Sequence, residues 1–137
     1  MLNRDYRALR IAMIVLGAAM AIKYPLNMVN DKTGWVWDYP ARNLAMEHMF
    51  IAVYATMGLF LILGARDPVR YLAFIDFVIV SGLAHASVML YDALQLPGQA
   101  NHVHLGGDVI GLYLPSVVLA ALHPKKLYLG RLIGSTA

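Results

Sequence analysis

Histidine and acidic side chains cluster at or near the ends of three apolar segments of this chain. In chain order these residues are Glu47, His48, His85, His102, His104 and Asp108. His104 and Asp108 are four residues apart, so they share one face of a helix that has begun by residue 104. Imidazole and carboxylate groups together bind transition metals and also carry protons. These residues are therefore the candidates for chemistry.

The elements that must position them are apolar helices. The chain has 137 residues, of which 60% are hydrophobic and 14% are charged. A membrane-spanning helix needs about 20 mostly apolar residues. Four segments fit, at residues 8–28, 44–65, 70–93 and 105–123, and Pro25 is expected to end the first. The sequence predicts an all-α fold, a four-helix transmembrane bundle that forms a single domain over residues 1–137.

Lysine and arginine orient this bundle, because cytoplasmic loops of membrane proteins carry an excess of both. Eight of the eleven basic residues flank the segments on one side. They are Arg4, Arg7, Arg10, Arg66, Arg70, Lys125, Lys126 and Arg131. Both termini are therefore expected in the cytoplasm, and the net charge of +3 is a topology signal that gives no reason to expect nucleic-acid binding. The motif "GARDPVR" at residues 64–70 predicts a tight turn, with glycine ending one helix and Asp-Pro starting the next element.

With this orientation, three helices bring the candidate residues to the outer leaflet. At a rise of about 1.5 Å per residue, His85 lies roughly 10 Å inward from the outer end of its helix. Ionisable groups inside a membrane are costly and face a partner or a cavity. The expected cofactor is a transition metal, Cu, Zn, Fe or Mn. The predicted ligands are Glu47, His85, His104 and Asp108, with His48 and His102 as weaker candidates.

Each candidate also has a structural interpretation. Asp108 and Glu47 near helix N-termini favour the helix dipole, and His85 fits a buried side chain that is hydrogen-bonded within the core. The same groups would then form a polar network that holds the bundle together. His123, at the cytoplasmic end of the fourth segment, is interpreted as an interfacial helix-end residue.

Three stretches resemble a family of small four-span bacterial membrane proteins with no assigned function. They are "EHMFIAVYATMGLFLILGARDP" at 47–68, "IDFVIVSGLAHASVML" at 75–90 and "HLGGDVIGLYL" at 104–114. The resemblance implies importance for Glu47, Asp67, Asp76, His85, His104 and Asp108. The layout is also similar to that of the DoxX-like four-helix membrane proteins, some of which are small subunits of quinone-linked oxidoreductases.

The size of the chain favours a small accessory subunit of a larger complex in the bacterial inner membrane, without independent catalysis. Its expected partners are the lipid bilayer and other membrane subunits or further copies of itself. One alternative is a metal- or quinone-linked oxidoreductase subunit in which His85 and Asp108 are catalytic or carry protons. Another is a small transporter or metal-handling protein. That function requires a polar path to the cytoplasmic side, for which Asp76 is the candidate. Asp76 is nine residues before His85 and lies on the opposite side of the helix, so transport ranks last of the three.

Overall fold

Four α-helices account for the regular structure in the computed structural model, which describes residues 6–29, 44–95 and 109–124. The helices are α1 (Arg7–Val29), α2 (Leu44–Gly64), α3 (Leu72–Gln95) and α4 (Ile110–Ala121). None of the described residues lies in a β-strand. The all-α class and the number of helices are thus confirmed.

Pro25 does not end the first helix, contrary to the prediction. It lies inside α1, which continues to Val29. A proline within a helix cannot donate the hydrogen bond to the carbonyl four residues earlier, and its ring crowds that carbonyl. Pro25 is only four residues from the end of α1, so the missing backbone hydrogen bond lies near the C-terminal end of the helix.

The turn between α2 and α3 is as tight as the sequence predicts. The last helical residue of α2 is Gly64, and α3 begins at Leu72. The Asp67 side chain accepts a hydrogen bond from the backbone N–H of Arg70 at 3.3 Å, which closes a turn around the fully buried Pro68. An aspartate that bonds backbone N–H groups in this way favours a turn over continuation of the preceding helix.

The chain divides into two compact units. One of them comprises Met13–Arg66. In this unit α1 and α2 touch through their backbones at Gly17 and Gly58. A Cβ atom on Gly58 would lie 2.5 Å from the carbonyl oxygen of Gly17 and 2.7 Å from the backbone nitrogen of Ala21. A Cβ atom on Gly17 would lie 2.6 Å from the carbonyl oxygen of Gly58. Only glycine permits this approach at both positions.

The other unit comprises Met1–Ala12 and Asp67–Ala137. Its main packing is between α3 and α4, which run antiparallel. The face of α3 that is buried carries Ile75, Val78, Ala86 and Ala93. On α4, Ser116 and Leu119 are buried. Tyr6 and Leu9, at the start of α1, are also buried.

Large apolar side chains remain exposed on all four helices. Val15 on α1, Val53 on α2, Val80 on α3 and Val117 on α4 are each more than half exposed. Among the described helices, α3 is long and apolar enough to cross a membrane by itself. The apolar stretch of α2 (His48–Gly64) and α4 are shorter.

Candidate functional site

Polar side chains of α3 and α4 meet at three levels along their interface. Asp76 on α3 is level with His123, just beyond α4. Gly82 is level with Ser116, and Ser87 is level with Tyr113. Asp76 and Ser87 are eleven positions apart on α3, about 16 Å along the helix axis at the standard rise.

The level farthest from Asp76, at Ser87 and Tyr113, is a hydrogen bond between two hydroxyl groups whose oxygens lie 2.9 Å apart. Ser87 Oγ donates its single proton to the carbonyl oxygen of Leu83, at 2.8 Å. Tyr113 is therefore the donor in the bond between the two side chains, since a serine hydroxyl has one proton. The arrangement gives the tyrosine hydroxyl a partner in an otherwise apolar region.

At the second level a glycine makes room for a buried hydroxyl. Ser116 is almost fully buried and its Oγ donates to the carbonyl oxygen of Leu112 at 3.3 Å. A Cβ atom on Gly82 would collide with this Oγ. Gly82 therefore lets α3 approach α4 without displacing the serine, and the serine's polar atom is satisfied within its own helix.

The third level joins the beginning of α3 to the end of α4 through two titratable groups. The Nε2 atom of His123 lies 2.9 Å from Oδ1 of Asp76, an ion-pair distance without the geometry of a hydrogen bond. The His123 side chain is 8% exposed and that of Asp76 is 40% exposed. Pro124, which follows the histidine, is fully buried.

The predicted metal ligands are only partly covered by the structure. His85 is half-buried on α3, and His48 is exposed on α2. Glu47 lies in the first turn of α2, but its side chain is not among those described, and it belongs to a different unit from His85. Within the described ranges, no three His, Asp or Glu side chains form a group that could hold a metal ion. His102, His104 and Asp108 lie outside these ranges, so the four-ligand site remains a prediction.

Four side chains of α3 are spaced so that they lie along one face of the helix. Ser81, His85, Met89 and Asp92 are all partly covered. Gly111 is exposed, and the glycines in tight contact are Gly17, Gly58 and Gly82.

The contact between Asp76 and His123 was missed from the sequence: His123 lies just after the end of α4, and its side chain is buried beside α3. A signal for it was present. Asp76 is four residues after the first residue of α3, and His123 is two residues after the last residue of α4. In an antiparallel pair of neighbouring helices, the start of one helix lies beside the end of the other, so these two positions are at the same height along the pair.

The fold and the site define an all-helical protein with a polar seam between two of its helices. The chain belongs to DUF6632, a family of unknown function whose sequence pattern matches residues 3–126. No characterised protein and no solved structure matches the chain. The resemblance to an uncharacterised family, expected from the sequence, is thereby confirmed.

Proposed function

We propose that this chain is an integral membrane protein whose four helices all cross the bacterial cytoplasmic membrane, with both termini in the cytoplasm. It serves there as a small accessory subunit of a larger membrane complex. The observation that carries the proposal is the exposure of large apolar side chains on every helix. Single exposed apolar residues are common in soluble proteins, but many large apolar side chains exposed on every helix favour contact with lipid or with a partner.

The distribution of charge supports the membrane location. Of the exposed charged residues that the structure describes, Arg7 lies at the start of α1 and the other three, Arg66, Asp67 and Arg70, lie in the turn between α2 and α3; α4 contains no charged residue. Within α3, the side chains of Asp76, His85 and Asp92 are each partly covered. This is the pattern that a low-dielectric surrounding selects, because a charge facing hydrocarbon is costly. The excess of basic residues on one side then orients the protein.

The accessory role rests on the size of the chain and on the extent of its apolar surface. A bundle of 137 residues has little room for a substrate cavity between helices that touch as closely as α1 and α2 do. The exposed faces offer area for neighbouring subunits as well as lipid. An oxidoreductase subunit would instead require a bound redox cofactor. Transport is favoured by one specific observation, the Asp76–His123 contact, which supplies polar groups at the end expected to face the cytoplasm.

Co-purification tests the accessory role. The full-length protein would be crosslinked in native membranes, solubilised in mild detergent and isolated by a terminal tag. We expect the protein to stay in the membrane fraction after alkaline carbonate washing and to be recovered with the same partner proteins in a constant ratio in several detergents. Isolation of a lone species that carries a visible-absorbing redox chromophore would show that the oxidoreductase alternative is correct and the accessory role wrong.

Metal content tests the predicted outer-leaflet site. We expect a nearly stoichiometric transition metal in the gently solubilised protein, measured by inductively coupled plasma mass spectrometry. Replacing His85 by alanine removes one of few ligands and is expected to lower the metal content about tenfold or more. His123→Gln is the matched control, since His123 is not a predicted ligand, and it should retain the metal. Metal-free wild-type protein would leave the cluster a structural polar network.

A further inference from the structure

We propose that the cytoplasmic flank of this chain binds the phosphate groups of anionic phospholipids. The cytoplasmic flank comprises residues 1–10, 66–71 and 122–137, which lead into α1, connect α2 to α3 and follow α4. The proposal rests on the proposed membrane location and orientation, and it names a partner that the accessory role leaves open. It is carried by the way in which charge is distributed along the chain and by two exposed arginines.

Basic and acidic residues are segregated along the chain. The cytoplasmic flank contains eight basic and two acidic residues, whereas the remainder of the chain contains three basic and six acidic residues. With histidine neutral, the flank therefore has a formal charge of +6 and the remainder −3. An excess of lysine and arginine is enough to orient a membrane protein, since acidic residues contribute little to orientation. The scarcity of acidic residues on the flank thus goes beyond what topology requires, and it favours an anionic partner.

The start of α1 presents one exposed arginine to such a partner. Arg7 is the first residue of α1, and its side chain is exposed. Tyr6 and Leu9, on either side of it in the sequence, are buried. These two side chains anchor the first turn of α1 and leave Arg7 at the surface. Within the described ranges, no carboxylate forms an ion pair with Arg7.

The turn before α3 presents a second arginine from a fixed backbone. Arg70 is exposed and lies two residues before Leu72, where α3 begins. Its backbone N–H donates to Oδ1 of Asp67 at 3.3 Å, and Pro68 between them is fully buried. The guanidinium group of Arg70 has no ion-pair partner in the part of the chain that the structure describes. Its positive charge is therefore available to a ligand outside the chain.

The height of these arginines favours lipid over an acidic protein as the partner. Arg7 lies in the first turn of a helix and Arg70 lies two residues before one, so in the four-span arrangement both are near the height of the lipid phosphates. Both also belong to the same compact unit. The anionic surface of the cytoplasmic leaflet attracts basic residues at this height. A guanidinium group can donate two parallel hydrogen bonds to one phosphate.

Lipid titration of the full-length protein in mild detergent, read by native mass spectrometry, tests the proposal. Phosphatidylglycerol is the anionic probe, and phosphatidylcholine is the zwitterionic one. We expect the wild type to bind phosphatidylglycerol more tightly than phosphatidylcholine. This preference should weaken as the ionic strength rises from about 0.05 M to about 0.5 M, because salt screens the attraction between exposed charges.

Replacing both arginines identifies the residues that bind the lipid. In Arg7→Gln combined with Arg70→Gln, we expect the dissociation constant for phosphatidylglycerol to rise about fivefold or more, with that for phosphatidylcholine unchanged. The matched control is Lys32→Gln combined with Arg42→Gln, which removes the same two charges from residues 30–43. That segment contains two acidic residues and no other basic ones, so it has no net charge. Phosphatidylglycerol binding should stay at the wild-type level in this control.

Several results would overturn the proposal. Equal affinity of the wild type for the two lipids, or a preference that salt does not weaken, would do so without any variant that has to fold. Wild-type affinity in the double arginine variant would also do so, as would an equal loss in the control, since the loss would then follow overall charge. Extraction of the protein by carbonate would contradict the membrane location itself, whereas a carbonate-resistant protein with no preference for phosphatidylglycerol would contradict the lipid site alone.

Discussion

Replacing Gly58 by alanine is expected to lower the free energy of unfolding by about 1–3 kcal/mol, the usual cost of forcing extra atoms into a packed interface. The new methyl carbon would lie 2.5 Å from the carbonyl oxygen of Gly17 and 2.7 Å from the nitrogen of Ala21. Both are backbone atoms, so no side chain can rotate away and the two helices must separate. In an ordinary helix interior the same change stabilises by about 0.5–1 kcal/mol. The sign of the effect therefore reports the backbone contact.

Unfolding in detergent, followed by circular dichroism, measures this effect. Gly17→Ala should behave like Gly58→Ala, because the methyl carbon would lie 2.6 Å from the carbonyl oxygen of Gly58. Gly111→Ala is the matched control, since Gly111 is an exposed glycine in α4, and it should be neutral or stabilising. A Gly58→Ala protein as stable as the wild type would mean that α1 and α2 do not cross at these glycines.

Val80→Asp is expected to abolish stable membrane integration. Val80 is 65% exposed on α3, and a carboxylate at the centre of a membrane helix costs about 2.5–3.5 kcal/mol on insertion scales. On a helix surrounded by water, the same surface substitution would change stability by only about 0.5 kcal/mol. The substitution therefore distinguishes lipid from water as the neighbour of this face. The measurement is the amount of carbonate-resistant protein in the membrane fraction.

Val69→Asp provides the control for this experiment, because it makes the same chemical change at an exposed valine in the turn before α3. It should accumulate in the membrane at the wild-type level. Equal accumulation and equal stability of Val80→Asp and wild type would mean that water or another protein surface faces this side of α3.

The helices could be predicted because their information is local. The run of apolar residues at 49–65 predicts a helix by itself, and the predicted segment at 44–65 differs from α2 by a single residue at one end. The turn at 64–70 could also be predicted, since glycine and Asp-Pro have strong local preferences for turns. Pro25 was misjudged because proline disfavours helix without forbidding it, and the surrounding packing decides whether the helix continues.

The contacts between helices were much harder to predict. Spacing gives the residues that share a face of one helix, but packing sets which face meets which neighbour. Hence Asp76 was considered alone and His123 was taken for an interfacial residue, although the antiparallel arrangement of α3 and α4 makes them level. Gly17 and Gly58 were missed for the same reason, because a glycine in one sequence segment does not reveal a glycine opposite it.

Substituted-cysteine accessibility tests most directly that all four helices cross the membrane. The chain contains no cysteine, so each introduced thiol can be read without background. With a membrane-impermeant maleimide on intact spheroplasts, we predict labelling of Gln99→Cys, labelling of Arg70→Cys only after permeabilisation, and no labelling of Val53→Cys, Val80→Cys or Val117→Cys before denaturation. Ready labelling of the three helix positions in intact spheroplasts, or of Arg70→Cys and Gln99→Cys from the same side, would contradict the four-span account.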